Sequence, residues 1–288
     1  MNVLQQPFRM QRVEARGRIG VRSDGHTTRL ADLFQEGSAR IRIPKHHGAA
    51  ESNALEAVLI NTAGGMTGGD FLSWQASAGE GARLSLTTQA CEKVYKAGDG
   101  TAKVDVTLRA MPGARIAWLP QETILFDRAA FSRTMNIDLA SDADCLIVES
   151  LLLGRRAMGE TVRHATFRDH WRIRVEGQLV HGEDFRFEGD ASSLFSRLAT
   201  GNGAGAMATI LVVGERAEAY LSQTRALIAN HAANGSGIHA GASCWRVGSS
   251  GKLLARVLAE DGYRLRSLLQ PLIGLLNGKA GLPKIWSS

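Results

Sequence analysis

Apolar and polar residues alternate with a period of two over much of the chain, the pattern of strands with one buried face. In 82–87, Ala82, Leu84 and Leu86 alternate with Arg83, Ser85 and Thr87. The same alternation recurs around the apolar residues Val104, Val106, Leu108, Met135, Ile137, Leu139, Trp171, Ile173 and Val175. Further strands are predicted at 56–61, 71–74, 114–119, 145–150, 162–168, 178–187, 207–213, 243–247 and 252–258.

Helical periodicity is confined to the last third of the chain. It predicts helices over 216–232 and 261–277, and a short one near 192–199. Asp261 is the expected N-cap of the second, whose leucines form a wide apolar stripe. With no repeating strand–helix–strand unit before residue 190, a doubly wound parallel sheet is disfavoured. We therefore expect a mainly β domain over 1–288 with C-terminal helices and no clean internal repeat, and with 1–15 disordered.

Composition supports a turn-rich globular protein. Gly occurs 32 times against 6 Pro in 288 residues, and hydrophobic residues make up 44%. No apolar run reaches the roughly 18 residues of a membrane span, and residues 1–12 lack a signal-peptide core. The three cysteines, Cys91, Cys145 and Cys244, form no CxxC motif and are expected to be free thiols. These features together predict a cytoplasmic location and no membrane contact.

Basic residues exceed acidic ones by 34 to 28, and many are near the N-terminus. On an extended chain most of these arginines would share one face. A nucleic-acid-binding adaptor is therefore one alternative, although few aromatic residues accompany the arginines. The arginines concerned are Arg9, Arg12, Arg16, Arg18, Arg22 and Arg29.

Catalytic motifs give little support for an enzyme. The glycine-rich segment NTAGGMTGGD, 61–70, lacks the Lys-Ser/Thr that closes a phosphate-binding loop. Glu149 and Glu160 could form the carboxylate pair of a carbohydrate hydrolase, which is a second alternative, but spacing alone does not fix their separation. The eight histidines show no HxH or HxxxH spacing, so no tight metal site is encoded locally.

Five blocks in order carry a resemblance to a known family. They are NTAGGMTGGD at 61–70, TTQACEKVYKA at 87–97, LPQETILFDRAAF at 119–131, LLLGRRAMGE at 151–160 and LPKIW at 282–286. Over roughly residues 15 to 286 the chain resembles the urease accessory protein UreD family, also called UreH.

The resemblance implies a non-enzymatic urease maturation factor. The implied fold is a β-helix-like stack of mostly antiparallel sheets with two or three helices in the C-terminal third. The implied partners are UreF, the GTPase UreG and apo-urease, with homo-dimerisation through the UreF complex and no nucleic acid. Nickel would pass in transit along a tunnel, with no tightly bound cofactor.

Candidate site residues follow from motif position. Asp70, Glu92 and Glu149 are expected to line the nickel route as transient ligands, because weak, repeated contacts permit transit. The helix at 261–277 and the tail after it are the expected UreF contact, because the stripe is wider than a small domain always covers. Its residues are Leu265, Leu268, Leu269, Leu272 and Leu276.

Overall fold

The structure is a computed structural model that describes residues 12–44, 53–155, 158–233 and 235–287. Strands dominate these ranges. In chain order they are β1 (Glu14–Ser23), β2 (Thr28–Glu36), β3 (Ala39–Arg42), β4 (Leu55–Asn61), β5 (Phe71–Ala78), β6 (Arg83–Thr88), β7 (Glu92–Val94), β8 (Ala102–Ala110), β9 (Arg115–Leu119), β10 (Thr123–Leu125), β11 (Ala130–Leu139), β12 (Asp144–Leu153), β13 (Ala165–Val175), β14 (Gln178–Gly189), β15 (Ala206–Val213), β16 (Ile238–Val247) and β17 (Ser250–Ala259).

The helices follow late in the chain, as the periodicity predicts. They are α1 (Ala191–Ser196), α2 (Leu221–His231) and α3 (Gly262–Leu276), with short 3₁₀ turns at Glu215–Tyr220, Gly278–Ala280 and Lys284–Ser287. The expected N-cap of α3 is confirmed, because the Asp261 carboxylate accepts a hydrogen bond from the Arg264 backbone N–H at 2.8 Å. Of the N-terminal segment expected to be disordered, 1–11 lie outside the described residues, whereas Glu14 and Ala15 already belong to β1.

The strands form a β-solenoid of about four turns. A seven-stranded sheet has the order β14-β13-β11-β8-β5-β1-β2, and a ten-stranded sheet follows β16-β17-β15-β12-β9-β6-β4-β3, with β7 and β10 beside β12. From β4 to β13 the chain passes from one sheet to the other at successive strands, apart from the short β7 and β10. Successive strands of one sheet therefore lie about 30 residues apart, a spacing that no repeat of residue identities reveals.

The mainly β, helix-like stack is confirmed, but the expectation of mostly antiparallel sheets is wrong. β1, β5, β8, β11 and β13 pair in parallel, and so do β4, β6, β9 and β12. Antiparallel pairs lie at the two ends of the stack, such as β1 with β2 and β13 with β14. The difference arises because each turn of a solenoid returns the chain to the same sheet in the same direction. Alternation of apolar residues is the same for both pairings.

Two hydrophobic cores result. The inner core lies between the sheets and contains the inward residues of both, such as Leu84, Val106, Ile137 and Ile147. The outer core lies on the far side of the ten-stranded sheet, where residues such as Leu146 and Ile210 contact α3. The strands β9, β12 and β15 are thus covered on both faces, which explains the continuous apolar run of β12.

Candidate functional site

Asp70 ends the glycine-rich segment and fixes its conformation. Its two carboxylate oxygens accept hydrogen bonds from the backbone N–H groups of Val13 and Thr67, each at 2.8 Å. Gly68 is needed in the same turn, because a Cβ there would lie 2.3 Å from the Asp99 carbonyl oxygen. The buried Asp70 side chain therefore ties the turn to the start of β1.

Glu92, at the start of β7, lies in the same neighbourhood. The Asn61 side-chain amide donates to its two carboxylate oxygens at 3.2 and 3.4 Å. Burial raises the pKa of Glu92 to about 7, with Asn61 opposing the shift and the charge of Asp70 adding to it. Near neutral pH this carboxyl can therefore exchange between protonated and ionised forms.

Glu149 points from β12 into the space between the sheets and joins a buried ion network. Its carboxylate lies 2.5 Å from the Arg133 guanidinium of β11 and accepts from the Trp118 indole N–H at 2.7 Å. Arg133 also donates two bonds to Asp169 of β13, at 3.0 and 2.5 Å, and the Trp171 indole N–H donates to Asp169 at 2.6 Å. We call Trp118, Arg133, Glu149, Asp169 and Trp171 the interior ion network.

The charges of this network do not balance. Two carboxylates share one guanidinium, and all three side chains are buried. Burial, and the nearby charge of Asp169, raise the pKa of Glu149, while Arg133 opposes the shift. A cavity of about 20 Å³ adjoins the network, which is space for one water molecule or ion.

Polar side chains continue from the network towards the C-terminal edge of the stack. Thr209 of β15 is the register partner of Glu149, and Arg256 of β17 is the register partner of Thr209. Arg256 donates to the Thr209 hydroxyl at 3.0 Å and forms an ion pair with Glu183 of β14. Glu183 also lines the cavity beside the network. A charged path thus runs from the inner core to the partly exposed Arg256.

Sequence reasoning found Glu149 but missed its partners. Arg133 and Asp169 were detectable, because each continues the inward alternation of its strand, Met135 and Ile137 in one case and Trp171 and Ile173 in the other. A charged residue at an inward position is the signal for a buried ionic group.

The structure does not gather the three predicted acids at one point. Asp70 and Glu92 interact at the glycine-rich turn, whereas Glu149 has a separate set of partners between the sheets. Within 12–44, 53–155, 158–233 and 235–287, no group of three or more His, Cys, Asp or Glu residues is placed to hold a metal ion.

The five α3 leucines lie in the outer core. Leu265, Leu268, Leu269, Leu272 and Leu276 are completely buried, in a cluster that includes residues of β12, β15 and β17. The premise that the stripe is left uncovered is therefore wrong, because the ten-stranded sheet extends far enough to cover it. A UreF contact on this helix stays a prediction, and it would have to use the outward side.

The carboxylate pair of the hydrolase alternative is not assembled. Glu160 lines a different cavity from Glu149, and its carboxylate accepts from the Arg155 backbone and side chain at 3.1 and 3.0 Å. Partial burial raises the pKa of Glu160, but these hydrogen bonds outweigh it and hold the pKa below its usual value. Glu160 is thus held ionised, the opposite of what a general acid requires.

Three of the five described arginines of the adaptor alternative form ion pairs, whereas none is formed by Arg12 or Arg22 among the described residues. Arg16, Arg18 and Arg22 do share the outward face of β1, as their spacing predicts. However, Arg16 contacts Glu14 and Glu36, Arg18 contacts Asp32, and Arg29 of β2 contacts Asp24. Arg9 lies outside the described residues. Pairing with acids lowers the net charge that the stripe offers to a nucleic-acid backbone.

The thiols and the helices add two further observations. Cys91, Cys145 and Cys244 are free, as expected. Cys91 lies 3.3 Å from Glu122, and burial with this neighbouring charge raises the pKa of its thiol to about 12.

In the part of the chain that the structure describes, no helix combines the length and apolarity needed to cross a bilayer.

Comparison with known proteins gives one consistent result. Residues 13–287 match the family described as UreD urease accessory protein. The chain is 51% identical over 277 residues to the urease accessory protein UreD of Mesorhizobium japonicum, covering 96% of this chain and 95% of the relative. It is 48% identical to that of Rhizobium rhizogenes over the full length of both, and 46% identical over 278 residues to UreD 1 of Brucella abortus.

This coverage overturns both the hydrolase and the nucleic-acid alternatives. The chain belongs to the UreD family of urease accessory proteins and is a non-catalytic urease maturation factor.

Proposed function

We propose that this chain joins UreF and the GTPase UreG to apo-urease and that nickel, as cargo, crosses the solenoid between its two sheets. The interior ion network is the observation that supports the proposed nickel route. Removing three charged side chains from water is costly, and apolar residues of the same volume often give equal or greater stability. A buried ionic group inside an otherwise apolar core is therefore better explained by function than by stability.

The chemistry of the network suits a divalent ion in transit. Carboxylate oxygens accept Ni²⁺, and movement requires that each contact be weak enough to release it. Glu149 and Asp169 already share Arg133, so an arriving ion competes with a guanidinium for the same oxygens. A raised pKa at Glu149 weakens ion binding further, because the proton competes as well.

The two ends of the route are proposed on the remaining acids. Glu183 and Arg256 continue the path at the C-terminal edge of the stack, where Arg256 is partly exposed. Asp70 and Glu92 lie at the glycine-rich turn, where Glu92 titrates near neutral pH. We place the transient contacts of the ion at Asp70, Glu92 and Glu149, and add Asp169 and Glu183 from the geometry.

The UreF contact is proposed on the outward side of α3 and on the tail that follows it. Tyr263 at the start of α3 is 85% exposed, unusual for an aromatic side chain outside an interface. A groove of about 420 Å³ borders the tail, with Pro44, Val58 and Ile285 in its wall and Arg42 and Lys284 beside them. An exposed aromatic side chain and a groove with apolar and charged walls are each typical of a protein interface.

Two further parts of the proposal concern the assembly. Two copies of the chain would come together through the UreF complex. We also place the protein in the cytoplasm, because free thiols fit a reducing compartment.

The scaffold role is tested by co-expressing urease with its accessory proteins, with and without this chain, and measuring nickel per urease. We expect little nickel and little activity without the chain, and full metallation without it would contradict the proposal.

The interface is tested by Tyr263→Glu, which should abolish co-purification of UreF while the melting temperature is unchanged. Leu198→Glu is the matched control, because Leu198 is 83% exposed after α1. Equal UreF recovery with both variants would place the interface elsewhere.

A further inference from the structure

A cavity of about 500 Å³ opens on the outer face of the ten-stranded sheet, away from the interior ion network. Its floor is formed where β6 and β9 begin, and its walls come from the 3₁₀ turn Glu215–Tyr220 and from the end of α3. The volume lies within the range of small-molecule sites. None of the roles proposed above uses this cavity.

Four cationic side chains from four segments line this cavity, namely Arg83, Arg115, Arg216 and Lys279. Arg83 and Arg115 are direct register partners on parallel neighbouring strands. Like charges in that arrangement destabilise a sheet unless something neutralises them. No carboxylate occurs among the described residues that line the cavity.

Nearby acids neutralise only part of this charge. Asp144 lies 3.6 Å from Arg115. Burial raises the pKa of Asp144, and the charges of Arg115, Arg216 and Arg83 oppose that shift. The charge of the nearby Glu215 adds to it. In the described ranges, no salt bridge is formed by Arg83, Arg216 or Lys279. Arg83, Arg216 and Lys279 thus add positive charge that no ion pair among the described residues offsets, and this charge borders one cavity.

Two buried polar atoms in the wall have unmet hydrogen-bonding capacity. The Arg115 side chain is nearly buried, and its Nε has no hydrogen-bond partner among the described residues. The same holds for Oδ1 of Asn277, whose amide nitrogen donates to Ser85 and to the Gly281 carbonyl at 3.3 and 2.7 Å. Such atoms are costly to leave unpaired. A ligand with anionic oxygens and at least one hydroxyl would supply partners of both kinds.

We propose that this cavity binds a compact anion that carries phosphate groups, up to the size of a nucleotide. Guanidinium groups suit phosphate because they donate two parallel hydrogen bonds to it. The cations converge from separate segments on one volume, so a compact ligand reaches all of them, whereas an extended acidic peptide would not. The Tyr220 and His26 rings in the cavity wall offer flat surfaces to a base or sugar.

Calorimetric titration of the full-length chain with pyrophosphate tests the proposal. We expect saturable binding that weakens with salt, and a loss of at least about tenfold in affinity in the double variant Arg83→Gln/Arg216→Gln. Arg109→Gln is the matched control, because Arg109 is an exposed arginine of β8 on the other sheet. If the double variant fails to fold, Lys279→Gln in the exposed 3₁₀ turn replaces it, with about a threefold loss expected.

Three outcomes would overturn the proposal. They are no pyrophosphate binding up to millimolar concentration, equal binding by wild type and the cavity variants, and binding of an acidic hexapeptide without binding of pyrophosphate. Citrate is titrated in parallel, and citrate binding as tight as that of pyrophosphate would overturn the assignment to phosphate. Because none of these measurements involves urease, the result is independent of the proposed scaffold role.

Discussion

The two cores of this solenoid lie back to back on the same sheet but differ in what they bury. The inner core encloses a guanidinium and two carboxylates, with two indole N–H groups aimed at the carboxylates. The outer core is filled by α3 leucines, and its ion pair between Arg266 and Glu122 joins the helix to the 120–122 segment, with Arg266 partly exposed. Apolar stripes therefore mark where the sheet and the helix pack together, whereas the inward charges are not explained by packing, and we propose that they serve the ion route.

The leucine stripe and the buried glutamate differ in how well each indicates function. A wide leucine stripe suggested a partner surface, yet the sheet covers it completely. A single glutamate suggested an ion route, and it proved to be part of an ionic group inside the protein. Hydrophobic area is a weak guide to interfaces in a protein whose sheet is covered on both faces.

The largest effect is expected from Arg133→Met, which removes the cation that both interior carboxylates share. We expect a loss of about 3–5 kcal/mol in the free energy of unfolding at neutral pH, because two buried charges lose their partner. The loss should shrink at acidic pH, where Glu149, whose pKa burial raises, takes up a proton. Urea denaturation measures it, and Arg109→Met on the exposed face of β8 should change stability by less than about 0.5 kcal/mol. A loss below about 1 kcal/mol would show that the network does not hold its charges as described.

Leu268→Ala tests the outer core and is expected to cause the second-largest loss in the free energy of unfolding. Truncating a completely buried leucine should cost about 3 kcal/mol, through lost burial and the cavity left behind. The effect should be independent of pH, in contrast to that of Arg133→Met. Tyr263→Ala, on the exposed side of the same helix, is the control and should be close to neutral. Wild-type stability of Leu268→Ala would mean that the stripe is not a core.

Glu92→Gln should change the pH dependence of stability. The folded-state pKa of about 7 exceeds the unfolded value near 4.3, so the native state binds this proton more tightly. The resulting stability is fully present below about pH 4 and is lost as pH rises through 7. In Glu92→Gln this decline should shrink by roughly 1 kcal/mol between pH 4.5 and 7.5, after allowance for solvent screening. Denaturation series at several pH values measure it, with the exposed Glu188→Gln as control. An unchanged slope would reject the assignment.

Asp261→Ala is expected to have the smallest effect. It removes the acceptor for the Arg264 backbone N–H and one partner of the Arg264 side chain, and should cost about 1 kcal/mol. Asp261→Ser keeps a capping oxygen and should recover most of the loss. Equal destabilisation by both substitutions would indicate that the ion pair, and not the cap, stabilises the start of α3.

Much of the fold was predictable from the sequence. Alternation located most strands, as at Ala82 to Leu86, and periodicity located α2 and α3 with the Asp261 cap. These features depend on neighbouring residues, so a local pattern determines them. β1 to β3 were not predicted as separate strands, because bulges and exposed faces blur the alternation, as in β2.

The pairing of strands and the grouping of site residues were not predictable in the same way. Parallel or antiparallel pairing depends on the path between strands, which alternation does not record. Arg133, Glu149 and Asp169 come from three strands at different points of the chain and meet only because successive turns stack. The sequence alone indicates only that each of the three residues lies on the inward face of its strand.

Nickel content of urease matured with Glu149→Gln is the most direct test of the claim that the inner core conducts the ion. The amide oxygen can still accept the Trp118 N–H, and Arg133 keeps Asp169, so the fold should persist. We predict that the variant assembles with its partners as wild type does but yields urease with severalfold less nickel, while Glu188→Gln yields full loading. Full nickel loading by a folded, assembled Glu149→Gln protein would contradict the account.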